Sequence, residues 1–177
     1  MIFEKDILKN RVVVTMGQSP KSEFYNKEGI GIPFLQGNRT FGEKYPYIDT
    51  YCSEPKRIAQ TGDVLMSVRA PVGDVNIATE EICIGRGLCS LRMKNGNNEY
   101  LYYLLKSFNK YIVNQESGTV FGSINKKQIE NLELPFPNDN EQKRISDLLS
   151  TLDNKIYLNT KRTQTLEKIA QLIFKHW

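Results

Sequence analysis

The stretch "LNTKRTQTLEKIAQLIFKHW" (residues 158–177) decides how this chain is read, because its apolar residues recur at helical spacing and form an uncovered stripe. Followed backwards, the pattern is a strict alternation of fours and threes: Ile145, Leu149, Leu152, Ile156, Asn159, Thr163, Leu166, Ala170, Ile173 and Trp177. That is a heptad seam with polar residues at its two central positions. From Asn140 to Trp177 a continuous helix would be ~57 Å long at ~1.5 Å per residue, longer than a small domain is wide. Two readings follow. The helix folds back on its own domain, or it is a coiled-coil arm that needs a partner helix. The second gives Asn159 and Thr163 a purpose, since polar groups in a seam cost stability but restrict register and orientation.

Immediately before the helix, "ELPFPNDNEQ" (133–142) marks a change of composition. Pro135 and Pro137 interrupt regular structure, and Asn138, Asp139 and Asn140 supply turn and cap chemistry. Glycines punctuate short β-like runs ahead of this point, and neither glycine nor proline occurs after it. The division is therefore a domain over 1–139 and a long helix over 140–177. Within the first part, "VLMSVRAPVGDVNIA" predicts strands at 64–68 and 75–78 around a turn at Pro71–Asp74. "ICIGRGLCSLRM" predicts one more strand, bent at Gly85 and Gly87. Leu101, Leu104, Leu105, Phe108 and Ile112 predict one amphipathic helix over 98–114, capped by Asn98. "LELPFP" is a last short strand. Several strands with segregated helices point to an α+β fold with a mixed sheet.

With 177 residues, 40% of them apolar and 25% charged, the composition is that of a soluble globular protein. No apolar run approaches the ~20 residues that span a bilayer, and no signal segment opens the chain, so a cytoplasmic location and no membrane partner are expected. Cys52, Cys83 and Cys89 read as buried thiols, and a distant lone His176 completes no zinc pattern, so no metal is expected. The net charge of +4 is unevenly spread: residues 1–139 carry 17 Lys and Arg against 16 Asp and Glu, and the remainder 7 against 4. Charge alone does not argue for nucleic acid; the positions of the basic residues must.

Catalytic sets are missing from the sequence. It holds no Ser/His/Asp arrangement, no Walker or Rossmann glycine loop, and no Asn-Pro-Pro-Tyr or Asp-Pro-Pro-Tyr tetrapeptide of amino-methyltransferases. The chain reads as a binding module. Gln36, Asn38 and Arg39 share a glycine-flanked loop, Arg69 follows Ser67 at a turn, and Arg86 lies between two glycines. Gln, Asn and Arg have the paired donors and acceptors that match purine edges. "SGTVFGSINKKQI" (117–129) adds small hydroxyl residues such as Thr119, then Lys126 and Lys127 at the start of a short helix, a setting suited to phosphate. Lys21 is a further candidate contact. The plainer alternatives are that Arg69 pairs with Asp63 or Asp74, and that Lys126 and Lys127 form a solvated face.

Taken together, "GQSPKSEFYN…GIPFLQGN", "GDVLMSVRAPVGDVNI…ICIGRGL", "SGTVFGSINKKQIENLELPFP", "EQKRISDLLSTLDNKI" and "NTKRTQTLEKIAQLIFKHW" closely resemble half of a type I restriction–modification DNA-specificity subunit, over essentially the whole chain. The resemblance implies a target-recognition domain that reads one half of a bipartite site in double-stranded DNA. It implies a spacer helix that pairs antiparallel with another and docks methyltransferase subunits, with a restriction subunit recruited to the complex. Such subunits catalyse nothing; S-adenosylmethionine, ATP and magnesium belong to the partner subunits. The family pattern has two recognition domains and two helices, whereas this sequence has one of each, so a homodimer is the simplest completion. Two rivals stand beside that reading: a silent or regulatory half-subunit, and a protein–protein adaptor with a coiled-coil stalk and no DNA function.

Overall fold

A computed structural model describes residues 3–115 and 122–175. The chain opens with β1 (Glu4–Ile7), α1 (Leu8–Arg11), β2 (Val12–Met16), β3 (Tyr25–Asn26) and β4 (Ile32–Leu35). It continues through β5 (Tyr51–Cys52), β6 (Ile58–Ala59), β7 (Val64–Ser67), β8 (Val75–Ile77), β9 (Ile82–Ile84) and β10 (Leu88–Met93). Helices α2 (Asn98–Ser107), α3 (Asn109–Val113) and α4 (Lys126–Glu130) precede β11 (Glu133–Phe136) and the long α5 (Asp139–Lys175). The architecture is α+β with mixed pairing. An antiparallel sheet runs β2-β10-β7-β8, a second runs β3-β5-β4-β9-β6, and β1 pairs with β11. β4 and β9 run parallel.

The expected hairpin forms, with β7 and β8 antiparallel and Val64 opposite Ile77. Its strands are buried on both faces, because α2 covers one side and the second sheet the other. Leu65 and Leu88 reach Leu35, Ile82 and Ile84 between the sheets, while Val64, Met66 and Leu91 face Leu101, Leu105 and Ile112.

Three local expectations are corrected. "ICIGRGLCSLRM" is two strands, not one bent strand: β9 belongs to one sheet and β10 to the other, with Gly85–Gly87 carrying the chain between them. The helix over 98–114 is two, α2 and α3, separated at Phe108, where ψ is 15° and Ser107 Oγ donates to the Leu104 carbonyl. Asn98 is not a cap. Its Oδ1 accepts from Met93 N at 2.7 Å and its Nδ2 donates to the Gly62 carbonyl at 2.8 Å, tying α2 to the ends of β10 and β7.

All three cysteines are free and buried, and burial pushes the Cys89 thiol up to about 12. Among the described residues no helix is long and apolar enough to cross a membrane.

Helix α5 begins on a side-chain cap: Asn138 Oδ1 accepts from Glu141 N at 3.0 Å. Its first turns are docked on the domain. Gln142 is fully buried, with Nε2 donating to the Pro137 carbonyl at 2.9 Å and Oε1 accepting from Asn95 at 3.0 Å. Ser146 is buried and Ile145 packs on the main core. From Asn154 to Lys175 every residue is exposed. The fold-back reading thus holds for the first turns only. The first seam residue, Ile145, is covered by its own domain, Leu149 is half-buried, and the seam from Leu152 onward is open. Trp177 lies outside the described residues.

Candidate nucleic-acid interface

The candidate surface is built where the two sheets cross. Gly17 N bonds to the Leu88 carbonyl at 2.9 Å, Gly85 N to the Leu35 carbonyl at 2.8 Å and Gly87 N to the Gln36 carbonyl at 3.0 Å. Three chain segments therefore touch backbone to backbone. A Cβ on Gly85 would lie 2.8 Å from Gln36 Cα, and one on Gly87 would lie 2.5 Å from the Gln36 carbonyl oxygen. Both glycines are required by close approach rather than by an unusual φ. Val68 N then bonds to the Gly87 carbonyl, Ile124 N to the Val68 carbonyl, and Arg69 bridges Ser123. The result is a continuous rim that carries Gln36, Arg86 and Arg69, all exposed. Among the described residues no ion pair engages Arg69, Arg86 or Lys127.

The acids that competed for Arg69 are taken elsewhere. Asp63 is buried and accepts from Arg92 Nε at 2.6 Å, Ser90 Oγ at 2.6 Å and Gln60 N at 2.9 Å. Asp74 accepts from Asn38 Nδ2 at 2.6 Å. Arg86 sits in the loop between β9 and β10 rather than within a strand, and its N–H donates to Ser19 Oγ at 3.2 Å.

The remaining candidates are less free. Arg39 Nη2 donates to both oxygens of Asp49, at 2.9 and 2.7 Å, and that guanidinium holds the Asp49 carboxyl below its ordinary value. To read a base, Arg39 must leave Asp49, and Asn38 must leave Asp74. Ser67 is a correction: it is buried, its Oγ donates to the Pro71 carbonyl at 2.7 Å and accepts from Asp74 N at 3.0 Å, so it clamps the turn that presents Arg69. Lys21 is exposed on the adjoining turn and pairs with Glu23 at 3.3 Å. Lys126 pairs with Glu130 at 3.6 Å. Helix α4 does not offer a free N-terminus, since Asn125 and Gln128 close a capping box over its first donors. Thr119 lies outside the described residues.

Two features escaped sequence reading. Tyr45 and Tyr47 are exposed on the loop beyond Arg39, and Tyr47 OH donates to the Arg39 carbonyl at 3.3 Å. The signal was present as two tyrosines in a polar loop. Beneath the rim, Tyr25 stacks on Phe34 with centroids 4.5 Å apart, and burial raises the Tyr25 phenol above its ordinary value.

The sequence and the fold both recur in known proteins. Residues 5–168 match the family model for the type I restriction modification DNA specificity domain. The chain belongs to the type I restriction–modification specificity family. It is 41% identical over 162 residues to a chain of Methanocaldococcus jannaschii assigned as the MjaX type I restriction enzyme specificity subunit, covering 90% of this chain and 38% of that one. A solved structure concerned with assembly of the type I restriction–modification system matches with a TM-score of 0.80 at 37% identity, covering 96% of this chain and 43% of that one. The HsdS subunit of Thermoanaerobacter tengcongensis matches at 0.76 and 37% identity, over 88% of this chain and 38% of that one. The chain thus spans about two fifths of the length of these relatives and carries one recognition domain of the specificity subunit type.

Proposed function

We propose that the chain reads one half of a bipartite double-stranded DNA site, docks methyltransferase subunits through α5, and acts as an antiparallel homodimer. The observation that carries this reading is the rim where Gln36, Arg69 and Arg86 stand exposed together within a specificity-family fold. Arg offers a bidentate match to guanine and Gln to adenine, while Lys21, Lys126, Lys127, Arg39, Asn38 and Thr119 supply backbone or rearranged contacts around them. The chain itself catalyses nothing. S-adenosylmethionine, ATP and magnesium are carried by the methyltransferase and restriction subunits.

The open seam supports the dimer. About a twofold centred between Asn159 and Thr163, the alternation of fours and threes is symmetric. Leu152 meets Ala170 of the second copy, Ile156 meets Leu166, and Asn159 meets Thr163. The two recognition domains then stand at opposite ends of the paired helices. Two identical domains related by a twofold read identical half-sites, so the site is a split palindrome.

Replacing Arg69 or Arg86 by Ala should weaken specific binding by about 1–3 kcal/mol per lost base contact and relax preference at one position. Replacing Lys127 should weaken binding to all sequences alike and lower the salt slope by about one. Binding is measured with the methyltransferase subunits present, on sites with and without the cognate bases. Unchanged binding in all three variants would remove this surface, and salt-insensitive or absent DNA binding would favour the adaptor reading.

A further inference from the structure

Helix α5 leaves the domain beside a polar cluster centred on Lys44. The loop from Phe41 to Thr50 follows Thr40 and is held against β8 and α2. Asn76 holds Gly42 through both backbone groups, at 3.1 and 2.9 Å, Ile77 N bonds to the Lys44 carbonyl at 2.8 Å, and Tyr102 OH donates to the Glu43 carbonyl at 2.8 Å. The Lys44 side chain, only 12% exposed, donates to Glu99 Oε1 at 3.2 Å, with Tyr103 OH at 3.4 Å and Ser150 Oγ at 3.5 Å. Its ammonium lies 5.4–5.9 Å from the ring centroids of Tyr45, Tyr102 and Tyr103. Burial alone would lower the Lys44 pKa, but the Glu99 carboxylate and Tyr103 outweigh it and leave the group raised and charged.

Ser150 and Asp153 belong to α5, and both are bound into this cluster: Ser150 Oγ donates to Glu99, and Tyr103 OH donates to Asp153 Oδ2 at 2.6 Å. One turn later the helix has no cover from the domain. From Asn154 to Lys175 the arm is ~33 Å long at ~1.5 Å per residue. A tilt of about 6° at the cluster swings its far end sideways by ~3.4 Å and turns the rim by the same angle relative to the arm. We propose that Lys44, together with Tyr103, Ser150 and Asp153, sets the angle between recognition domain and arm and thereby fixes the number of base pairs separating the two half-sites. Lys44 is a positioning residue: it touches no base, and it joins the loop that follows Arg39 to the helix that pairs with the second copy. The inference rests on the split-site reading above.

The test uses the full chain with methyltransferase subunits and a plasmid pool in which the wild-type half-sites are held constant and the gap between them varies one base pair at a time. Adenine methylation is read for every gap. Lys44→Met, Tyr103→Phe and Ser150→Ala should keep the half-site bases and raise the share of methylation at gaps one base pair shorter or longer at least fivefold. Lys44→Arg, which retains the charge, should stay near wild type. Tyr103→Phe keeps the ring in place and serves if Lys44→Met does not fold. An equally sharp gap in Lys44→Met and Tyr103→Phe would overturn the inference, as would equal loss at every gap or changed half-site bases. If wild type itself yields no split motif, the proposed reading falls, and the inference with it.

Discussion

The two halves of α5 carry one sequence pattern and meet opposite fates. Over residues 139–153 the helix buries Gln142 and Ser146, seats Ile145 in the core and ties Ser150 and Asp153 to α2. Over 154–175 it buries nothing, and Ile156, Leu166, Ile173 and Phe174 stand 58%, 65%, 55% and 84% exposed. The heptad is continuous across the join, so periodicity alone does not tell which partner covers it. What differs is the polar chemistry on the flank. The docked half places Gln142 and Ser150 toward the domain, where they bond to Asn95, the Pro137 carbonyl and Glu99, while Ser146 bonds back to the Lys143 carbonyl of its own helix. The free half presents an apolar stripe that its own domain leaves exposed.

The largest expected effect follows from breaking the free half. Ile156→Asp with Leu166→Asp puts charges into an apolar seam, and the dimer should weaken by at least about 100-fold, each buried unpaired charge costing several kcal/mol. Light scattering of the full chain should then give a single-chain mass, while the melting temperature of the domain stays within a few degrees. A dimer that survives both substitutions would place the contact elsewhere.

Breaking the docked half should do the reverse. Gln142→Leu leaves the carbonyl of buried Pro137 without its donor and removes the acceptor that Asn95 and Asn97 share, at a cost of about 1–3 kcal/mol of domain stability. Chemical denaturation reads the loss, and association through the arm should persist whenever the domain is folded.

Alkali separates the halves without mutation. Cys89 and Tyr100 are both held protonated by burial, to about 12, against ordinary values near 9 and 10. The unfolded chain releases these protons first, so domain stability is complete below about pH 9 and declines between about pH 9 and pH 12. Cys89→Ala should shrink that decline. The arm carries neither group, and its pairing should follow the domain only when the domain unfolds.

Much of this was legible in the sequence, for physical reasons that can be named. The arm was legible because ten positions in strict alternation leave no other period. The hairpin over β7 and β8 was legible because a turn holding Pro71 and Gly73 separates two short, largely apolar runs. The split of "ICIGRGLCSLRM" between two sheets was not, since a glycine that bends a strand and one that permits a backbone crossing look alike until the third segment, Gln36, is seen beside them. Asn98 misled because a helix-start asparagine is usually a cap, and here its amide is used by strand ends distant in sequence. Ser67 misled in the same way: a hydroxyl beside an arginine reads as a contact, while the fold spends it on the turn. Lys44 had no local signature, because its partners lie 55 and 106 positions away.

The central claim is that one recognition domain and one open arm make half of a twofold reader. A genome-wide map of methylated adenine, in cells carrying this chain with methyltransferase subunits against cells lacking it, tests this most directly. The account predicts a new split motif with two identical half-sites in inverted orientation and one fixed gap. An asymmetric motif, or no new motif at all, would contradict it.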